Sequence, residues 1–194
     1  MTRLLACVGV TIAVTAVATA QAPPPYFGFG EPAPPDLIAA LDIDVRPDGT
    51  GLPPGRGTAR EGGAIYARQC AACHGAKGEG GQADRLVGAE PAGLAPFGPE
   101  YERWREGRPD VPFTVGNYWP YAATLFDYTR RAMPANAPGT LTADETYSLV
   151  AWLLAQNGII ADTAVMNAET LPTVIMPAHG RFVPDSRVGG PEVK

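Results

Sequence analysis

The sequence predicts a small all-α domain set between proline- and glycine-rich extensions. Three observations carry that expectation. Two stretches open on one pattern, Thr58-Ala-Arg-Glu61 and Thr142-Ala-Asp-Glu145. In it the threonine hydroxyl and the glutamate carboxylate each satisfy a backbone N–H that the first helical turn leaves unpaired. Residues then recur at helical spacing: Gly62, Tyr66 and Cys70 after the first pattern, and Tyr147, Val150 and Leu154, with Leu149, Trp152 and Leu153, after the second. Proline and glycine crowd the stretches around them, with 21 prolines and 23 glycines in 194 residues. That length leaves room for one domain plus extensions.

The chain starts Met1-Thr-Arg3, runs apolar from Leu4 to Ala18 and reaches Ala18-Thr-Ala20. A basic start, a short apolar stretch and an Ala-x-Ala site read as a secretory signal peptide over 1–20, cleaved near Ala20, and so as export to the periplasm. The alternative is an uncleaved anchor, for which the run is short. Cys7 comes too early for a lipoprotein site and leaves with the signal. Losing Arg3 takes the net charge from −5 to −6, which argues against nucleic acid as a partner. No later segment is apolar enough to span a membrane. Two cysteines then remain, both in one motif, so a disulfide scaffold is not expected.

Residues 21–57 read as an extended proline-rich segment, because proline at this density prevents regular helix and sheet. Pro23, Pro24 and Pro25, then Pro32, Pro34 and Pro35, bracket Tyr26, Phe27 and Phe29. Such a stretch is either a flexible linker or a segment lying along its own domain or a partner. The domain proper is expected over 58–160, with a loop-rich stretch from Gly75 to Pro112. An aromatic-rich helix is expected from Tyr118 to Arg131, with Asn117-Tyr118 as a possible cap, broken at Met133-Pro134. The last helix stops at Asn157-Gly158. The extension 161–194 looks irregular apart from the apolar Leu171–Met176.

Cys70-Ala71-Ala72-Cys73-His74 is the central chemical signal. Cysteines at i and i+3 on a helix project to one side, where both thiols can add to the two vinyl groups of a single haem. His74 returns to that face beneath the iron, and the motif reads as c-type haem attachment. A thioredoxin-like pair would need a strand–helix setting that is absent. A zinc site would need two further soft ligands, and His179 alone is available. A thioether in the sixth position closes the iron and raises its potential. Met133, 59 residues after His74, is the preferred sixth ligand, and Met176-Pro177 is the alternative. Met166 reads as core filler. His179 is either an exposed loop residue or another ligand.

Gly62-x3-Tyr66-x3-Cys70-x2-Cys73-His74, Met133-Pro134 and Leu149-Val-Ala-Trp152-Leu153 together resemble the class I cytochromes c. That resemblance implies a fold in which first and last helices cross at Gly62, with Tyr66 packing near Leu149 and Trp152. A narrower set is similar to the cytochrome subunits of bacterial sulfite dehydrogenases and of the sulfane dehydrogenase of the Sox thiosulfate-oxidising system. It comprises Asp42-Ile-Asp-Val45 with Pro47-Asp-Gly49, Gly51-Leu-Pro-Pro-Gly55, Val115-Gly-Asn-Tyr-Trp-Pro-Tyr121, Thr124-Leu-Phe-Asp-Tyr128, Arg130-Arg131-Ala-Met133-Pro134 and Asn157-Gly158-Ile159-Ile160. The resemblance implies that electrons arrive from a molybdenum-cofactor subunit. Two departures stand: the Sox subunit often carries two haems where this chain has one motif, and Met176-Pro-Ala-His-Gly-Arg-Phe182 fits only partly.

Trp119, Tyr121, Arg130 and Arg131 are candidates to bind haem propionates through charge-assisted or indole donors, or else simply to pack and be solvated. The expected protein is thus a monohaem electron carrier. It passes single electrons from a sulfur-compound dehydrogenase to a downstream cytochrome or oxidase, and no substrate bond is made. The rival from the enzyme class is a haem peroxidase or thiosulfate-oxidising centre with an open or displaceable sixth position. An electron acceptor for an unrelated periplasmic dehydrogenase is a further alternative.

Overall fold

The computed structural model describes residues 30–88, 102, 106 and 113–182. The signal, Cys7, the Tyr26–Phe29 aromatics, most of 89–112 and the end of the tail lie outside these residues. Among the described residues, 30–40 fall in one compact unit and those from Leu41 onward in another. The first unit holds most of a seven-residue helix, α1 (Pro35–Leu41), which opens on a proline.

The body is mostly helical: α2 (Ala59–Gln69), the single turn α3 (Ala71–His74), α4 (Ala122–Ala132) and α5 (Ala143–Gln156). Both capping boxes form. The Glu61 N–H donates to Thr58 Oγ1 at 3.4 Å while Glu61 Oε2 accepts from the Thr58 N–H at 2.9 Å. Thr142 and Glu145 repeat the exchange at 3.2 and 2.9 Å. Helix α5 is buried almost all round, as a central core helix must be.

Helices α2 and α5 cross where Gly62 lies against Ser148 and Trp152, and Tyr66 stacks on Trp152 with ring centroids 3.9 Å apart. Any side chain at 62 would hold the helices apart. Tyr66, Phe126, Tyr147, Leu149, Leu154 and Leu171 are among the fully buried side chains of the core.

Helix α4 starts later than expected. Pro120 disfavours helical backbone at Trp119, and Tyr121, at φ −139°, is the N-cap without a side-chain bond. Asn117 does not cap this helix. Its Oδ1 accepts from the Thr114 N–H at 2.7 Å and closes a preceding turn.

The segments flanking the helices are also built in. A two-stranded antiparallel ribbon, β1 (Arg56–Thr58) with β2 (Val165–Asn167), pairs Gly57 with Met166. The sequence reading had no strand at either place. Met166, Leu171, Met176 and Ala178 are buried, so much of the tail belongs to the same core. On the other side, the Val45 N–H donates to Asp127 Oδ1 at 2.8 Å and Tyr147 Oη to the Pro53 carbonyl at 2.9 Å. These bonds tie residues 45–53 along the domain rather than leaving them as a linker.

Candidate functional site

The walls of one cavity, about 970 Å³, bring together Cys70, Cys73, His74 and Met133. Each reaches it from the end of a helix. Cys70 ends α2 and starts α3, with φ −121°. The Cys73 and His74 N–H groups donate to the Cys70 carbonyl at 3.1 and 3.0 Å, which holds the motif as one turn. Gly75, at φ +84°, stops it; a Cβ there would lie 2.6 Å from the Glu79 carboxylate. The following loop folds back, with the Ala83 N–H on the Cys73 carbonyl at 2.9 Å and the Gly80 N–H on the His74 carbonyl at 2.8 Å. The motif's exposed backbone acceptors are thereby satisfied.

That return places the Asp84 carbonyl 2.7 Å from His74 Nδ1. A carbonyl only accepts, so Nδ1 carries the hydrogen and Nε2 keeps its lone pair, the arrangement that orients a metal-binding imidazole. Cys70 is half-buried and Cys73 exposed. Burial, with a smaller contribution from Cys73, pushes the Cys70 thiol up to about 11.

Met133 is the C-cap of α4, its N–H donating to the Thr129 carbonyl at 3.2 Å. Among the described methionines it alone lines the cavity. Met166 and Met176 are buried in the core at 4% and 2% exposure. His179 is exposed; its Nδ1 lies 3.3 Å from the Pro120 carbonyl and its ring meets Tyr121 edge-on.

The other candidates divide. Trp119 lines the cavity, but its indole N–H donates to Thr124 Oγ1 at 3.0 Å. Arg130 does not line the cavity and instead acts electrostatically on Tyr147. Arg131 is clipped by Asp127, Nε to Oδ1 at 2.9 Å. The cavity arginines are Arg68 and Arg85, which the sequence reading passed over. It also missed the second role of Asn157. Besides ending α5, Asn157 accepts from the Gly88 N–H at 2.9 Å and donates to the Leu86 carbonyl at 3.2 Å. It thereby clamps a cavity wall. No side-chain pattern announces such a clamp, because its partners are backbone groups about seventy residues away.

A space of this size, walled by Val115, Leu125, Leu149 and Leu153, with two thiols, an imidazole of fixed tautomer and a thioether, fits an iron porphyrin. Residues 57–153 match the family model described as cytochrome c oxidase, cbb3-type, subunit III. The chain belongs to the cytochrome c family. Covalently bound haem c is the family's cofactor, and the fold is that of a class I cytochrome. No curated protein matches the chain. Among solved structures it is similar to a chain in the crystal structure of the sulfane dehydrogenase SoxCD from Paracoccus pantotrophus. The two are 37% identical with a TM-score of 0.70, over 84% of this chain and 74% of that one. Among the described residues of this cytochrome no helix is long and apolar enough to cross a membrane.

Proposed function

We propose that this cytochrome is a periplasmic carrier of single electrons, exported by a leader cleaved near Ala20. Cys70 and Cys73 would hold one haem c through thioethers, and His74 and Met133 would be its iron ligands. Its donor is a molybdenum-dependent dehydrogenase acting on sulfite or a related sulfur compound, and its acceptor is a downstream cytochrome or oxidase. The observation that carries the reading is that Cys70, Cys73, His74 and Met133 line one cavity. Likeness to a chain of a sulfane dehydrogenase supports the sulfur donor.

Bound there, the iron porphyrin supplies a reversible one-electron couple. The chain's residues do the rest. The Asp84 carbonyl fixes the His74 tautomer, Met133 would offer its thioether to the iron and so raise the potential, and the leucine walls exclude water.

The test is spectroscopic. Ferric protein matured with haem should show the weak far-red sulfur-to-iron absorption, and Met133→Ala should abolish it and open the reduced protein to carbon monoxide. Persistence of the band in Met133→Ala would refute the ligand. Carbon monoxide binding by the unaltered reduced protein at neutral pH would refute the closed carrier.

A further inference from the structure

Helix α4 presents one stripe to the haem cavity, Leu125, Thr129 and Met133, set at four-residue spacing. The middle member interrupts an apolar pattern. Thr129 is 6% exposed, and a hydroxyl so buried is costly to leave without a partner. The other buried threonines have one. Thr114 donates to the Gly88 carbonyl, and Thr146 to the Thr142 carbonyl one turn back on its own helix, at 2.8 Å. Thr129 makes no side-chain hydrogen bond among the described residues, although the Leu125 carbonyl offers it the same kind of acceptor. Its partner therefore has to come from within the cavity.

Met133 is placed to be that partner. Its N–H donates to the Thr129 carbonyl at 3.2 Å, so the helical register holds as far as Met133 even though Met133 itself is extended, at φ −120°. Neighbours at this spacing stand about 5–6 Å apart at Cβ, within the combined reach of a hydroxyl and a thioether. Asn136 and Thr140, which also line the cavity, are exposed, and water satisfies them. Only the buried threonine depends on the cavity for its bond.

We propose that the Thr129 hydroxyl donates a hydrogen bond to the Met133 thioether and so sets how firmly that sulfur holds the haem iron. This rests on Met133 as the iron ligand assigned above. A thioether sulfur is a weak acceptor, and a bond donated to it draws on the electron density it gives the metal. Ferric iron depends on that density more than ferrous iron does, so the bond favours the reduced state and raises the potential. Thr129 acts through the ligand and is a positioning residue.

The experiment uses the full haem-loaded chain and three substitutions. Thr129→Val removes the hydroxyl at nearly constant volume, Thr129→Ser keeps the hydroxyl without the methyl, and Thr129→Ala lacks both. In Thr129→Val and Thr129→Ala the ratio of reduced to oxidised protein at a fixed poise should fall about threefold or more, roughly 28 mV at 59 mV per tenfold. The far-red sulfur-to-iron band should shift, and imidazole affinity for the ferric protein should fall about threefold or more, because the sulfur becomes harder to displace. Thr129→Ser should match the unaltered protein in all three readouts. An unchanged ratio and imidazole affinity in Thr129→Val overturns the hydrogen bond. Equal shifts in Thr129→Val and Thr129→Ser also overturn it, since packing alone would then account for them. A sulfur-to-iron band that survives Met133→Ala overturns the ligand, and this proposal with it. Loss of that band in Met133→Ala beside an unaltered Thr129→Val removes the hydrogen bond and leaves the ligand standing.

Discussion

Substituting Gly62 by alanine probes the contact on which the fold depends most directly. A Cβ at 62 would lie 2.8 Å from Trp152 Cβ and nearer still to the Ser148 carbonyl, where ordinary contact begins at 3.4 Å. The Trp152 contact alone asks for about 0.6 Å of separation. The Ser148 carbonyl asks for more, and as backbone of a buried helix it cannot rotate aside. Overpacking of this kind costs about 1–3 kcal/mol, at the upper end when backbone must move. Parting the helices also weakens the Tyr66–Trp152 stack, a loss of roughly 1 kcal/mol. Alanine's better helix propensity returns about 1 kcal/mol. The net loss is about 2–3 kcal/mol, or roughly 5–15 °C in Tm for a domain of this size. Thermal unfolding of haem-loaded protein, followed by far-ultraviolet circular dichroism, measures it. Gly180→Ala, where an added Cβ meets nothing within 4 Å, serves as the control and should melt with the unaltered protein. A Gly62→Ala protein melting within about 2 °C of wild type would refute the crossing geometry.

Asn157→Ala should cost about 2 kcal/mol, since it strips the Gly88 N–H and the Leu86 carbonyl of a partner. It should also speed imidazole binding to the ferric protein by loosening the 86–88 wall; an unchanged rate and melting temperature would count against the clamp. Burial raises the Tyr147 phenol from 10.0 to about 12, against a lesser lowering by Arg130. The folded chain thus holds that proton more tightly than the unfolded chain. The corresponding stability is complete below pH 10 and lost as pH climbs toward 12. Urea midpoints across that range should fall, and less steeply in Tyr147→Phe. Changing both Cys70 and Cys73 to serine so that no haem is retained should leave a chain without cooperative melting, because about 970 Å³ of core loses its filling. A sharp melt without haem would show that the cavity is not part of the core.

The features legible in the sequence are those written within one turn of chain. Both capping boxes, the Cys70–His74 turn and the placing of Met133 at a helix end depend on neighbours three or four residues apart. The onset of α4 at Ala122 is hard to read because Tyr118, Trp119 and Tyr121 extend the aromatic pattern of the helix back across Pro120, which disfavours helix at the residue before it. The ribbon was invisible for another reason. Two three-residue strands, 109 positions apart at the Gly57–Met166 pair, are too short to show alternation. The partner of His74 was unreadable in principle, since Asp84 acts through its carbonyl and any residue would serve. The arginines separate by position and not by chemistry: Arg68 and Arg85 line the cavity, and Arg130 is not among its lining residues.

The residues proposed to bind iron share a structural circumstance that bears on electron transfer. Cys70 and Met133 are helix caps and His74 is the last residue of a helical turn, so each stands where backbone groups need partners from elsewhere. The surrounding loops supply them: Gly80 to the His74 carbonyl, Ala83 to the Cys73 carbonyl, Asp84 to the imidazole. Every one of these bonds is made by main chain that no change of rotamer can withdraw. Ligands so fixed move little when the iron gains or loses an electron, and a small rearrangement between oxidation states is what a fast outer-sphere carrier needs. A centre built to bind and turn over a substrate requires a ligand free to leave. Of the four proposed attachments, His74 has a side-chain hydrogen bond among the described residues, while Met133 is placed by the backbone of its cap on α4, and the firmness of that cap decides which kind of haem protein this chain is.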